Sequence, residues 1–237
     1  MNKLFRNKST LFCFTPGVML ATFLIEIVLA IYVFIRYKLS AFGRLAALII
    51  LVLALFQAAE YQVCRSTNPI LWSHIGFSLI TLLPVLGLHL ISYVTGKKHF
   101  LAFGYALVLA FMAIFIFSPK AITSAVCGGN YIIFETTQQL SWIYGVYYFG
   151  FLLLGVWEVV EKLFDIRKRG VDRKKIAPLW WMLIGYASFL VPMGVVYAIS
   201  REARSATTSI MCGFALILAF IMVFKVMPLW EGVKKNE

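Results

Sequence analysis

Seven long runs of apolar residues constrain this 237-residue sequence more than any other feature. The runs lie near residues 15–35, 45–63, 70–95, 100–118, 140–161, 179–199 and 209–229. A helix needs about 20 mostly apolar residues to cross the hydrocarbon core of a bilayer. We therefore expect a single all-α domain over residues 1–237, an integral membrane bundle of seven transmembrane helices.

The composition excludes several other classes of protein. Hydrophobic residues make up 62% of the chain and charged residues 14%, which is far from a water-soluble globule or a disordered chain. The net charge of +12 does not indicate a nucleic-acid-binding domain, because membrane proteins carry such an excess in their cytoplasmic loops. The lipid bilayer is the first partner that the sequence predicts.

The first apolar run follows Lys3, Arg6 and Lys8 and so invites comparison with a secretory signal peptide. It is too long for the apolar part of a signal peptide, it contains Glu26, and no small-residue cleavage site follows it. We interpret it as the first helix.

Lys and Arg are distributed unequally between the two ends of the predicted bundle. Of the 22, about 15 fall on the side that connects helices one and two, three and four, and five and six, and about 7 on the other. The side with the larger number is expected to be cytoplasmic. The N-terminus is therefore predicted to lie outside and the C-terminus in the cytoplasm.

Two loops carry signals beyond a simple connection. The basic loop 165–175 is interpreted either as a topology anchor that touches anionic lipid or as a docking site for a cytoplasmic or membrane protein partner. The outer loop 119–139 contains the turn signal Cys127-Gly-Gly-Asn130. After that turn we expect either an early start of helix five or a lid over the bundle.

Polar side chains within the apolar runs are the candidates for a binding site, since ionisable groups are costly in hydrocarbon. Gln57 and Glu60 share one face of helix two, and His74 and Ser78 share one face of helix three at similar depth. One tyrosine each from helices five and six completes the set. The predicted outward-facing polar pocket, for a small or lipophilic ligand, comprises Gln57, Glu60, His74, Ser78, Tyr148 and Tyr186. The alternative is that Glu60 and His74 only hold helices together. The role of Glu26 is left open.

All four cysteines fall on the predicted outer side, which can be an oxidising compartment. Helices one and seven are neighbours in a ring of seven, so Cys13–Cys212 is a candidate bridge, and Cys64–Cys127 is the second. The alternatives are free buried thiols and a metal site with His74 and Glu60, which the absence of a C-x-x-C pair disfavours. We predict neither a metal nor a cofactor.

Three short motifs resemble an uncharacterised family of bacterial seven-transmembrane proteins: Phe12-Cys13-Phe14-Thr15, Gln57-Ala-Ala-Glu60-Tyr61 and Ser209-Ile-Met-Cys212-Gly-Phe-Ala215. That family has a Cys-Phe-Ser start, Gln-Gln-x-x-Glu in helix two and a Cys in helix seven, whereas here Thr15 replaces the Ser and only the first Gln is kept. A weaker likeness, at Trp72, Pro84 and Tyr93-Val-Thr-Gly96, is to the seven-helix sensor region of bacterial histidine kinases. These resemblances imply a bacterial plasma membrane and ligand sensing.

The function that we favour from the sequence is a receptor-like or sensory membrane protein. An intramembrane enzyme, hydrolase-like and using Glu60 and His74, is an alternative, but no Gly-x-Ser-x-Gly and only three His are present. A transport or accessory subunit is another alternative. A retinal protein is excluded, because the middle of helix seven, 215–221, contains no Lys.

Overall fold

The computed structural model describes residues 16–38, 40–127, 132–168, 173–199 and 207–234. In chain order, the elements are α1 (Pro16–Tyr37), α2 (Ala41–Arg65), α3 (Pro69–Thr95), α4 (Leu101–Phe117), β1 (Ile122–Cys127), β2 (Ile132–Thr136), α5 (Gln138–Lys168), α6 (Arg173–Ile199), α7 (Thr207–Ile221) and α8 (Met227–Lys234). A π-helical turn, Met222–Val226, joins α7 to α8 in one continuous run.

The helices make this chain an integral membrane protein. Six helical stretches, in α1, α2, α3, α5, α6 and the α7–α8 run, have the length and apolar character of membrane spans, whereas α4 is apolar but shorter, with 17 residues. Large apolar side chains are exposed on their outer faces, as hydrocarbon contact requires; Phe117 is 80% exposed and Leu109 70%.

Each of the seven predicted apolar runs is helical in the structure. The largest differences are at the basic loop, where α5 continues to Lys168 instead of ending near 161 and α6 begins at Arg173 instead of 179. Charged residues do not interrupt a helix, and Arg167 and Lys168 in the last turn of α5 interact favourably with the helix dipole.

Local signals set several helix ends. The Ser40 side chain accepts a hydrogen bond from the Gly43 amide at the start of α2, and Asn68 does the same for Leu71 at the start of α3. Gly96 ends α3 in the left-handed conformation, with φ of 79°, which glycine adopts without strain. The Ser40 and Asn68 caps let α2 and α3 begin directly after short turns, so α1–α2 and α2–α3 are antiparallel neighbours.

The helices form a closed arrangement around α3, which is the most buried of the candidate spans. α3 packs against α2, α4 and α5, while α1 packs against α2 and α7. The expected neighbourhood of the first and last helices is therefore confirmed. We call the end of the bundle with residues 66–68, 118–127 and 132–137 the hairpin end, and the end with residues 38, 40, 96–100, 168 and 173 the basic end.

A β-hairpin at the hairpin end was not predicted from the sequence. β1 and β2 pair antiparallel, with Ala125 opposite Phe134. Ile122, Ile132 and Phe134 are buried, and the Phe134 ring meets Phe77 of α3 edge-on at 5.2 Å. Residues 132–136 are therefore a strand and not an early start of helix five, because β-branched and aromatic residues alternate here between a buried and an exposed face.

A disulfide between Cys64 and Cys127 ties the end of β1 to the last turn of α2. This confirms one of the two bridges that the sequence predicts. The other, Cys13–Cys212, lies outside the described residues, since Cys13 precedes them and the Cys212 side chain is not among them. The turn at Gly128–Asn130 also lies outside them.

Candidate functional site

A partly enclosed cavity of about 80 Å³ lies at the centre of the bundle, between the middle turns of five helices. Residues of α2, α3, α5, α6 and α7 form its wall. Among them are Ile50, Leu53, Leu90, Leu152, Phe189 and Leu218. Of the described residues in this wall, Tyr148 and Tyr186 contribute the only hydroxyl groups, and the others are aliphatic, Met, Phe, Ala and Gly residues. Such a wall suits an apolar ligand with a single polar atom.

The hydroxyl of Tyr186 is the polar group best placed to contact a ligand. A Cβ atom added to Gly87 of α3 would lie 2.6 Å from this oxygen, and one added to Gly155 of α5 would lie 3.7 Å from it. The hydroxyl thus occupies space that exists because position 87 is glycine, and it is in van der Waals range of position 155. Tyr186 is only 7% exposed, and within the described part of the chain its hydroxyl makes no hydrogen bond. A buried hydroxyl of this kind gains a favourable bond when a ligand supplies an acceptor or donor.

Two helices depart from regular α geometry where they border the cavity. Pro84 interrupts the hydrogen-bond ladder of α3 within the lining stretch, next to Leu83 and one turn before Gly87. The π turn of the α7–α8 run begins at Met222, which also lines the cavity, and it comes just before Pro228. Irregular turns at these positions allow small changes of helix direction around the cavity.

A cluster of aromatic residues supports the cavity on its hairpin side. Thr81 lies beside the Pro84 break; its carbonyl accepts a hydrogen bond of 2.6 Å from the Tyr147 hydroxyl, and its own hydroxyl is 3.2 Å from that of Tyr144. Phe111 of α4 packs against both tyrosine rings. This network fixes α5 against the broken turn of α3.

Replacing Tyr147 by Phe should lower the free energy of unfolding by about 1–2 kcal/mol, because the buried hydrogen bond between its hydroxyl and the Thr81 carbonyl is lost while the ring packing is kept. The free energy is measured by SDS-induced unfolding in mild-detergent micelles. Tyr93→Phe is the control, since Tyr93 is 40% exposed on the surface of the bundle. Equal stability of Tyr147→Phe and Tyr93→Phe would contradict the role given to this bond.

The structure places the six predicted pocket residues in different environments. Tyr148 and Tyr186 line the central cavity together, whereas the other four are not part of its wall. Gln57 and Glu60 are almost fully buried in α2, with 3% and 1% exposure. The Ser78 hydroxyl donates to the carbonyl of His74 in its own helix.

His74 contacts the neighbouring helix α4. Its Nδ1 is within hydrogen-bond distance of the Phe115 carbonyl oxygen. This bond joins α3 to α4 near the hairpin end and accounts for one of the two ring nitrogens. The pairing of His74 with Glu60 stays a prediction, as does the outward opening of the polar pocket.

Glu158 is a buried carboxyl that the sequence did not single out as a candidate. It is 5% exposed in α5 and lies within electrostatic range of Lys97 and His99 at the basic end. Glu161, one turn further, forms an ion pair of 2.5 Å with Lys97. The signal was present, since Glu158 and Glu161 lie within the predicted apolar run 140–161 and share one helix face.

Metal-ligating residues do not cluster in the described part of the chain, where no group of three or more His, Cys, Asp or Glu side chains could hold an ion. Neither the protein-family models nor the curated proteins compared with this chain match it. Its function must therefore be inferred from its own residues.

Proposed function

We propose that this protein is a receptor-like or sensory seven-helix membrane protein that binds a small lipophilic ligand in the central cavity. The observation that carries the proposal is the Tyr186 hydroxyl, which lies near Gly87 and Gly155 without a hydrogen bond from the described residues, in a cavity wall whose only other described hydroxyl is that of Tyr148. The ligand class that fits is an apolar body with one hydrogen-bonding oxygen, such as a ketone, ester or alcohol.

The proposed orientation places the hairpin end outside and the basic end in the cytoplasm. Two independent observations support it. The excess of Lys and Arg lies at the basic end, as expected for cytoplasmic loops. The Cys64–Cys127 disulfide lies at the hairpin end, and disulfides persist in oxidising compartments outside the cytoplasm. The bacterial plasma membrane, implied by the resemblance of the Gln57–Tyr61 motif, completes the proposed location.

The proposed signal passes from the cavity to the basic end. α3 can bend at Pro84, and the α7–α8 run can bend at its π turn. A ligand that binds one of two bent or straight states of these helices more tightly increases the population of that state. The basic segment 165–175, which includes the end of α5 and the start of α6, then presents the change to a cytoplasmic or membrane protein partner. The β-hairpin packs against α2 and α3 at one end of the bundle. Because it covers that end, we propose that the ligand enters from the hydrocarbon phase.

A photoreactive alkyl ketone with a diazirine group tests the proposal. In detergent-solubilised protein, its adducts should map to cavity residues of α5 and α6. Tyr186→Phe should weaken its binding about five- to tenfold, because one hydrogen bond of about 1 kcal/mol is lost while the ring remains. The matching alkyl diazirine without the ketone should label both proteins equally.

The proposal fails if the ketone probe labels the lipid-facing surface alone. It also fails if Tyr186→Phe and the wild type bind both probes with the same affinity, since the hydroxyl would then contribute nothing to recognition.

A further inference from the structure

Glu26 of α1 is a carboxyl group with an unusual environment for a membrane span. The residue has 0% exposure, although α1 lies at the periphery of the bundle. Neither of its carboxyl oxygens has a hydrogen-bond partner among the residues that the structure describes. A carboxylate buried in hydrocarbon without such bonds is strongly destabilising, so a group in this setting indicates a bound partner with positive charge.

The described groups around Glu26 supply a second carboxyl and no positive charge. α1 packs against α2 and α7. From α2, the Glu60 carboxyl lies within electrostatic range of Glu26 and is itself 1% exposed. From α7, the described side chains between Gly213 and Ile221 include no titratable group. Gln57, one turn before Glu60 and 3% exposed, offers an amide oxygen on the same face of α2.

Two buried carboxyls within electrostatic range of each other favour a small cation that both can bind. Like charges in a low-dielectric setting repel strongly, and one cation shared by both oxygen sets removes the repulsion and satisfies the oxygens of Glu26. A divalent metal normally takes more protein ligands than these, and the described residues contain no group of three or more metal-ligating side chains. Two carboxyls in a low-dielectric setting commonly share one proton, and Na⁺ carries the same single charge, so the described groups favour a monovalent cation.

We propose that Glu26 and Glu60 form an intramembrane site for a small monovalent cation, a proton or Na⁺, separate from the lipophilic cavity. Neither carboxyl lines that cavity. The site joins α1 to α2, so cation occupancy stabilises the packing of α1 on the rest of the bundle.

Thermal unfolding of the full chain in detergent tests the site. NaCl is exchanged for choline chloride at constant ionic strength, and the series is repeated at several pH values. A cation that binds only the folded protein raises Tm in proportion to the logarithm of its concentration well above Kd. We expect the wild-type Tm to rise with Na⁺ or to fall as pH rises, Glu26→Gln to lose that response and Glu60→Gln to reduce it. Glu135→Gln, at an exposed carboxyl of β2, should respond like the wild type.

Each outcome decides the proposal. A Na⁺ response at fixed pH identifies sodium as the cation, and a response to pH alone identifies the proton. A wild-type Tm that is indifferent to both cations contradicts the site without any variant. The same response in the wild type, Glu26→Gln and Glu60→Gln contradicts it as well, since the response would then come from other groups.

Discussion

Replacing Gly87 by Leu should abolish binding of a lipophilic ligand to the central cavity. Even the Cβ atom of the new side chain would lie 2.6 Å from the Tyr186 hydroxyl, so the tyrosine must move. Gly87 lines the cavity of about 80 Å³, so the remaining atoms of the new side chain should take up part of its space. Overpacking of this kind costs about 1–3 kcal/mol of stability, and the loss of ligand space should weaken binding of the alkyl ketone probe by more than a hundredfold.

Gly150→Leu is the matched control for this change. Gly150 is exposed on α5, and a Cβ atom added there meets no atom within 4 Å. It should bind the probe like the wild type. If Gly87→Leu folds, as shown by a cooperative unfolding transition, and still binds the probe with wild-type affinity, the ligand does not occupy the central cavity.

Removing the disulfide should lower the free energy of unfolding more than Gly87→Leu or Tyr147→Phe does. The Cys64→Ala/Cys127→Ala double variant opens a link between residues 63 positions apart, and the chain-entropy treatment assigns about 4 kcal/mol to such a loop. Strand pairing and the burial of Ile122, Ile132 and Phe134 would then hold the hairpin without a covalent link to α2. We expect proteolytic cleavage between β1 and β2 to become faster in the double variant.

Reduction of the wild-type protein provides the control for side-chain effects in this experiment. Reduced wild type and the double variant should share the same stability and the same rate of hairpin cleavage. Oxidised wild type that is cleaved at the rate of the double variant would show that the disulfide does not restrain the hairpin.

The helices could be predicted from the sequence because hydropathy over about 20 residues depends on the bilayer and hardly on tertiary contacts. The hairpin could not. Its strands have only 6 and 5 residues, and Ile132, Ile133 and Phe134 form a short apolar run that also suits the start of a helix. The contact of Phe134 with Phe77 decides that this run is a strand, and Phe77 is 57 positions away in the chain by residue number.

The candidate site was only partly predictable for a similar reason. Tyr148 and Tyr186 could be selected as polar groups within apolar runs, and both line the cavity. Gly87 could not be selected, since a glycine in an apolar helix most often reflects close helix packing. Its importance depends on the position of Tyr186, which comes from a helix about 100 residues later and is fixed only by the fold.

Native mass spectrometry of the protein extracted from its own membrane in mild detergent tests whether a ligand occupies the central cavity. We expect a bound small molecule of defined mass on the wild type and on Gly150→Leu, and its absence from Gly87→Leu. The mass also identifies the class of the ligand. The same set of bound molecules on all three proteins, or no bound small molecule on any of them, would contradict a ligand site in the central cavity.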